Sequence, residues 1–306
     1  MKDSSHSSLG ENDDRLWQLL GDLPQPEPIG SELLERRQQD GYMLETVLLE
    51  LNGLERVPAS IALPLDGQAP YPLIVFNHSH GGNYTAGRRE LLYSSAYLQE
   101  PSFASVLTGM GYAVCCIDMW CFGERSGRAE SETVKEMLWH GQVMWGMMLY
   151  DNRRLLDYMC SRDDIDGSRI GTIGMSMGGL MAWWLAALDE RVRVIVDIAA
   201  QVDAHTLIAK RGLDHHGFYS YVPGLLKQYT TLDIQRRIAP RPRMSLVGRH
   251  DRLCPLEGVQ HLAASLSDVY AAAGCAEHWQ PMIGSGGHME TMEMRAAWMP
   301  FLQKYM

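Results

Sequence analysis

The sequence predicts an α/β protein with a mostly parallel central sheet and helices on both faces. Three observations predict this class. Strand-like and helix-like segments alternate from about residue 70 onward. Residues 112–117 form a continuous apolar run, which suits a strand that is buried on both faces. At 169–173 a strand pattern runs into a glycine-rich turn, and a strong helix pattern follows at 180–188.

The individual elements follow from periodicity and turn residues. Strands are predicted at 42–51, 56–63, 73–76, 112–117, 169–173, 192–198, 244–247 and 278–283. A single long helix is predicted over 131–160, because apolar residues recur there at helical spacing and Arg153 and Asp157 form an i,i+4 pair. The last helix is predicted at about 289–304.

Two segments do not fit the alternating pattern. We expect residues 1–40 to form an N-terminal extension that is disordered over 1–13 and carries two helix-like stretches over 14–40, separated by the proline-rich residues 24–28. Residues 41–306 form the main domain. Within it, 201–237 is longer than a simple connection, so we expect a partly helical, cap-like insertion there.

Composition narrows the function. The chain has 306 residues, 46% of them hydrophobic, and a formal net charge of −10. The acidic balance argues against nucleic-acid and membrane partners. No apolar run of transmembrane length and no signal-peptide pattern is present, so a cytoplasmic protein is expected. The six cysteines form no C-x-x-C pair and have no metal-ligand spacing, which favours reduced thiols and no metal site.

Residues 174–178 read G-M-S-M-G, the pattern G-x-S-x-G, between the strand at 169–173 and the following helix. A sharp strand–turn–helix would expose the Ser176 hydroxyl at the carboxyl end of the sheet. The glycines are needed because the turn is tight and side chains there would collide with neighbouring strands. Ser176 is therefore the candidate nucleophile.

A serine hydroxyl needs a base to accept its proton and an acid to orient that base. Asp251 follows the strand at 244–247, and His288 follows the strand at 278–283. The order serine, acid, histidine and the position of each just beyond a strand predict a catalytic triad. Rival acids are Asp197 and Asp203, and rival bases, which lie within strand or helix patterns, are His140, His261 and His278.

The tetrahedral intermediate of such a reaction needs two backbone N–H donors for its oxyanion. Met177, the residue after the nucleophile, supplies the first. The loop after the strand at 73–76 reads N-H-S-H-G-G, and we favour the N–H of Gly82 for the second donor, with Gly81 as the alternative. The two histidines of this loop are expected to fix it by hydrogen bonding rather than to bind a metal.

Several polar and aromatic residues are candidates for substrate contact. His80 lies on the loop just described, and Trp120 follows the strand at 112–117. His215, His216 and Tyr221 lie in the insertion, where they either contact the substrate or tie the cap to the body of the protein. The sequence leaves these two alternatives open.

The loop at 77–82, the segment D-I-D-G-S-R-I-G at 164–171 that leads to Ser176, and the contexts of Asp251 and His288 together resemble the bacterial dienelactone hydrolase-like and acetyl xylan esterase-like α/β-hydrolases. The resemblance covers about residues 42–304. It implies an α/β-hydrolase fold with about eight strands, an acyl-serine intermediate, no cofactor and action mainly on esters, with Ser176, Asp251 and His288 in the catalytic positions.

Two departures from this resemblance limit the substrate. Dienelactone hydrolases usually have a cysteine nucleophile where this chain has Ser176, so a dienelactone substrate is not expected. The sugar-ester deacetylases have an R-G-Q-G motif where residues 122–125 read F-G-E-R, so sugar-ester specificity is not supported.

The leading hypothesis is a hydrolase of small-molecule carboxylic esters with small to medium acyl groups. The alternative is a serine peptidase or amidase of the prolyl-oligopeptidase type, although 40 N-terminal residues cannot form the propeller that such enzymes usually carry. A third class is a non-enzymatic binder on a hydrolase scaffold, against which the complete set of catalytic residues argues. The oligomeric state stays undecided, and a homo-oligomer remains open.

Overall fold

The structure is a computed structural model that describes residues 15–306. A nine-stranded sheet runs through it in the order β1-β2-β3-β5-β4-β6-β7-β8-β9. The strands are β1 Ser31–Gln39, β2 Tyr42–Leu49, β3 Val57–Pro64, β4 Tyr71–Asn77, β5 Ala113–Ile117, β6 Ile165–Met175, β7 Val192–Ile198, β8 Arg243–Gly248 and β9 Trp279–Gly284. From β5 to β9 all neighbouring strands are parallel, whereas β1, β2 and β3 form an antiparallel end. The predicted α/β class with a mostly parallel sheet is confirmed.

Helices cover the sheet. They are α1, described at 15–19, α2 Phe103–Gly109, α3 Glu130–Trp139, α4 Met144–Cys160, α5 Met177–Leu188, α6 Ala204–Ala209, α7 Thr231–Gln235, α8 Leu256–Ala272 and α9 Met292–Tyr305. Among residues 15–306, none of these helices combines the length and apolar character needed to cross a lipid bilayer.

Alternate residues of the central strands pack into two separate hydrophobic cores, one on each face of the sheet. Leu73 and Val75 of β4 pack into one core, whereas Ile74 and Phe76 pack into the other. This follows from the two-residue period of a strand, whose successive side chains point to opposite faces. Both faces of the sheet are therefore apolar and covered, which explains the continuous apolar runs in the sequence.

The prediction of a second helix-like stretch in the N-terminal extension is wrong. Residues 31–39 form strand β1, which pairs antiparallel with β2. Asp40 and Gly41 make the two-residue connection, both with positive φ (45° and 89°). An Asp-Gly pair between two strands is a hairpin signal that the sequence carried. The side chains of β1 are almost all exposed, so no hydrophobic pattern revealed the strand. The expected disorder of residues 1–13 lies outside the described residues.

The single helix predicted over 131–160 is also wrong, because two helices, α3 and α4, occupy this stretch. The break includes Gly141, which has φ +75°, and Gln142, which forms an isolated bridge with Gly21. The expected i,i+4 pair does not form. Arg153 instead lies over the Trp17 ring, with 5.3 Å to its centroid, and Asp157 binds Arg154 and Arg191.

The insertion at 201–237 is partly helical. It contains α6, α7 and three single turns of 3₁₀ helix at Leu213–His215, Phe218–Ser220 and Leu225–Lys227. Its middle is anchored to α3, because Oε1 of the buried Glu130 accepts a hydrogen bond from the Tyr219 N–H at 2.8 Å. The other carboxylate oxygen of Glu130 accepts the Tyr84 hydroxyl at 2.8 Å. The insertion is therefore fixed to the segment that follows β4.

Candidate active site

Ser176 occupies a strained turn between β6 and α5. Its backbone has φ +54° and ψ −119°, a conformation that a non-glycine residue adopts only when its surroundings hold it there. Its N–H donates to the Ile198 carbonyl of β7 at 2.8 Å, and its own carbonyl accepts the Leu180 N–H at 2.8 Å. These bonds place the side chain at the carboxyl edge of the parallel strands.

The three glycines around Ser176 are required by close packing. A Cβ on Gly178 would collide with the carbonyl oxygen of Asn77, at the end of β4. A Cβ on Gly179 would lie 2.5 Å from the Ala200 side chain, and one on Gly174 would collide with the backbone of Gly178. The motif is thus a consequence of how tightly α5 enters the sheet.

The structure brings the three predicted catalytic side chains together. His288 Nε2 lies 2.8 Å from Ser176 Oγ, and His288 Nδ1 lies 2.8 Å from Asp251 Oδ2. The other oxygen of Asp251 accepts the backbone N–H groups of Leu253 at 2.8 Å and Cys254 at 3.3 Å. The Asp251 side chain is fully buried, whereas that of His288 is 25% exposed. The carboxylate is therefore held in one orientation while the imidazole remains accessible.

The rival acids have structural partners elsewhere. Asp197 is buried and binds the Arg243 guanidinium at 2.8 Å and the Ser245 hydroxyl at 2.7 Å. Asp203 caps α6 by accepting the Thr206 N–H at 2.8 Å.

The rival bases lie outside this constellation. His278 sits in a 3₁₀ turn, where its Nδ1 lies 2.7 Å from the Pro240 carbonyl oxygen. His140 caps the carboxyl end of α3, and His261 is exposed on α8.

The preferred second oxyanion donor is not available in this structure. The N–H of Gly82 donates to His80 Nδ1 at 3.0 Å within its own loop, because the glycine lies two residues beyond that imidazole. Gly81, the alternative, has φ +51°, and a Cβ there would collide with the Tyr97 ring. Met177 begins α5, where the first backbone N–H groups have no partner within the helix.

Two histidines of the loop after β4 are held by hydrogen bonds, as the sequence predicted. His78 is fully buried, with Nδ1 2.9 Å from the Ser79 carbonyl and Nε2 accepting the Met119 N–H at 3.0 Å. His80 Nε2 lies 3.3 Å from the Tyr219 hydroxyl. Burial, with a smaller contribution from neighbouring histidines, lowers the pKa of His80 to about 4. His80 is therefore uncharged at neutral pH.

A buried carboxylate that no sequence pattern indicated lies beneath this loop. Glu90 is 3% exposed, and its Oε2 accepts the Ser79 N–H at 2.6 Å while Oε1 accepts the Tyr97 hydroxyl. Burial raises the pKa of Glu90 to about 7, and these two hydrogen bonds oppose the rise. No pattern around residue 90 could have shown this, because its partners lie 7 and 11 residues away on separate turns.

A second missed carboxylate holds the segment after His288. Glu290 is fully buried and binds the Arg295 guanidinium at 2.7 and 2.8 Å, the Trp298 indole N–H at 2.8 Å and the Gln99 N–H at 3.0 Å. Its own N–H donates to the Tyr97 carbonyl at 2.8 Å. The segments that carry His80 and His288 are thus connected through Tyr97.

The predicted substrate contacts separate into two groups. His216 and Tyr221 line a cavity between α5 and the insertion, whereas His215 is exposed and lines no part of it. Trp120 is half-buried and stacks on the Arg125 guanidinium, with 4.5 Å from the guanidinium carbon to the ring centroid. Trp120 also packs against the hydrophobic core, and its predicted contact with substrate stays a prediction.

We call the space between α5 and the insertion the cap cavity. It has a volume of about 260 Å³, and its walls include Leu180, Trp184, Leu207, Leu213, His216 and Tyr221. A second cavity of about 370 Å³ lies beside the loop after β4, where His80, Gly81 and Glu90 contribute to its wall. Burial lowers the pKa of His216, so its imidazole is neutral at neutral pH.

Asp251, Cys254 and His288 bring three metal-type donor atoms within 4.8 Å of one another. The carboxylate and the imidazole are joined directly at 2.8 Å, which leaves no space for an ion between them. Burial raises the pKa of the Cys254 thiol well above its usual range, so the thiolate that binds metals is disfavoured. The cluster is better described as a hydrogen-bonded relay.

The sheet order, the strained turn at Ser176 and the relay to His288 and Asp251 define a protein of the α/β-hydrolase fold. A family model described as X-Pro dipeptidyl-peptidase (S15 family) matches residues 52–280. The chain belongs to this family and is a hydrolase.

Relatives and solved structures agree with this class. The Bacillus subtilis (strain 168) protein named "Putative hydrolase YtaP" is 51% identical over 292 residues, which are 95% of this chain and 98% of that protein. The glucuronoyl esterase from Solibacter usitatus superposes with a TM-score of 0.71 at 16% identity, over 98% of this chain and 93% of that one. The acetyl xylan esterase from Paenibacillus sp. R4 gives 0.65 at 17% identity, over 100% and 96%. At these identities the two structures show the shared fold.

Proposed function

We propose that the protein is a serine hydrolase that cleaves carboxylic esters of small to medium acyl groups through an acyl-serine intermediate. The observation that carries the proposal is the continuous relay from Ser176 Oγ through both nitrogens of His288 to Asp251, with 2.8 Å at each step. The Asp251 carboxylate is buried, with one oxygen held by the backbone N–H groups of Leu253 and Cys254 and the other directed at His288.

In the proposed reaction, Ser176 Oγ attacks the ester carbonyl while His288 Nε2 accepts the hydroxyl proton. Asp251 keeps the remaining N–H of His288 on Nδ1 and stabilises the imidazolium that forms. The Met177 N–H supports the oxyanion, and Gly81 is our candidate for the second donor because the N–H of Gly82 is occupied. His288 then protonates the leaving alcohol, and water repeats the sequence on the acyl-serine.

Membership of an X-Pro dipeptidyl-peptidase family makes peptide or amide hydrolysis the second candidate. A peptidase that removes dipeptides has to accommodate the charged amino group of the chain, which a carboxylate would pair with. Among residues 15–306, no Asp or Glu contributes to the walls of the cap cavity. The carboxylate beside the other cavity, Glu90, is committed to Ser79 and Tyr97. This distribution favours esters over peptides.

The test is hydrolysis of 4-nitrophenyl acetate, butyrate and octanoate next to aminoacyl-amide substrates such as Ala-Pro-4-nitroanilide. Ser176→Ala is the matched control, and it should lower kcat by about 10⁶ for a substrate that uses the relay. A fluorophosphonate should label the wild-type protein and not this variant. Faster turnover of the anilide than of every ester would favour the peptidase, and no turnover together with no labelling would refute both candidates.

A further inference from the structure

The cap cavity has one wall on the helix that begins at the candidate nucleophile. Leu180, Trp183 and Trp184 contribute this wall, and their i, i+3, i+4 spacing places them on one face of α5. The opposite wall comes from the insertion, including Leu213 and Val222. The cavity therefore exists because residues 201–237 cover α5.

The cavity lies next to the reacting groups. Leu180 is one helical turn from Ser176, whose carbonyl accepts the Leu180 N–H at 2.8 Å. His216, on the cavity wall, hydrogen-bonds the backbone of Leu253, and the Leu253 N–H donates to Asp251 at 2.8 Å. The Nε2 of His216 is buried without a hydrogen-bond partner among the described residues. His216 therefore marks the end of the cavity that lies nearer to Asp251.

The walls select for an apolar group. Twelve of the sixteen residues that line the cavity are aliphatic or tryptophan. An apolar cavity of about 150 Å³ is enough for benzene. By proportion, about 260 Å³ accommodates an aromatic or branched group of up to about ten carbon atoms. The neighbouring cavity is lined mainly by polar residues, among them Asn83, Arg89 and Glu90, so it does not offer an alternative place for such a group.

We propose that the cap cavity is the specificity pocket of the enzyme, and that it binds an apolar aryl or branched alkyl group attached to the scissile ester. This inference rests on the proposed ester hydrolase function and specifies its substrate class. An ester has the required pattern, since its polar linkage would lie at the His216 end and its apolar group among the leucines and tryptophans. This apolar group is either the acyl group or the alcohol group of the ester, since either one can carry an aryl or branched alkyl chain.

Two series of esters separate the two sides. In the first, 4-nitrophenol is kept as the alcohol while the acyl group grows from acetyl to 4-methylpentanoyl and phenylacetyl. In the second, acetate is kept while the alcohol grows from methanol to 4-methylpentanol and benzyl alcohol, with acid release followed by pH-stat. In one of the series, kcat/KM should rise by about 10- to 200-fold from the smallest to the best larger group.

Leu213→Trp fills the cavity from the insertion, at a residue that is 37% exposed. It should abolish this rise in kcat/KM, and a fluorophosphonate should still label Ser176, which shows that the variant is folded. The matched control is Phe218→Trp, at an exposed residue of the same insertion that does not line the cavity, and it should keep the wild-type profile. Ile208→Trp narrows the same cavity from α6 and replaces Leu213→Trp if that variant does not fold.

Flat profiles in both series with an active wild-type enzyme would overturn the cavity assignment alone. An unchanged profile in a folded, cavity-filling variant would overturn it as well. If the wild type neither hydrolyses 4-nitrophenyl acetate nor reacts with a fluorophosphonate at Ser176, the proposed function fails, and the ester is then rejected as the occupant of the cavity.

Discussion

Replacement of Glu90 by Gln should change how the stability of the protein depends on pH. Glu90 is buried beneath the loop that carries His80 and Gly81, and it is held by the Ser79 N–H and the Tyr97 hydroxyl. In the described part of the chain these two donors are the groups that oppose the effect of burial on its pKa. These two hydrogen bonds do not offset the effect of burial, so the ionised form of Glu90 is disfavoured.

The size of this change in the free energy of unfolding follows from the pKa of Glu90, which burial raises from 4.5 to about 7. The unfolded chain releases this proton near pH 4.5, whereas the folded protein retains it to about pH 7. The stabilisation by the bound proton is therefore complete below pH 4.5 and is lost as the pH rises through 7, by about 3 kcal/mol in total. With an unfolding entropy of about 2.1 cal/mol/K per residue, this corresponds to a decrease of about 5 °C in Tm.

Glu90→Gln removes the titration and keeps both contacts, because the amide oxygen accepts the Ser79 N–H and the amide nitrogen donates to the Tyr97 hydroxyl. The assay is Tm by calorimetry at pH 5, 6, 7 and 8 at constant ionic strength. Wild type should lose about 4 °C between pH 5 and pH 8 relative to Glu90→Gln, because part of the total loss has already occurred at pH 5. The control is Glu190→Gln, at an exposed carboxylate, whose curve should run parallel to wild type. Parallel curves for wild type and Glu90→Gln would refute the reasoning.

Three further predictions concern the relay and its support. Asp251→Asn should lower kcat on 4-nitrophenyl acetate by about 10⁴ with little change in KM, since His288 then adopts the wrong tautomer; a loss below ten-fold would contradict this role. Gly178→Ala should lower the free energy of unfolding by at least about 1–3 kcal/mol, measured by urea denaturation, because the methyl group collides with a backbone carbonyl, and an unchanged midpoint would contradict it. Arg243→Leu should cost about 3–5 kcal/mol by leaving Asp197 buried without its cation, and the double variant with Asp197→Leu should recover much of that loss; equal stability of the single and double variants would argue against the buried-charge explanation.

The antiparallel end of the sheet shows why one strand was missed and the others were not. The strands from β2 to β9 are buried or partly buried along at least one face, so their apolar residues indicate them in the sequence. β1 is an exposed edge strand with a helix-like composition, and its structure is decided by pairing with β2 across the Asp40–Gly41 turn. The helix predicted at 131–160 was also decided by contacts with another segment. It is divided in two at Gly141 and at Gln142, which forms a bridge with Gly21.

By itself, the sequence determined the α/β class and the three side chains that meet at the carboxyl edge of the sheet. It could do so because Ser176, Asp251 and His288 each follow a strand of the parallel part of the sheet, and the ends of parallel strands converge. Only the tertiary structure decided which groups surround them. The burial of Glu90 and the cavity over α5 depend on contacts between separate segments, and no local pattern in the chain encodes such contacts.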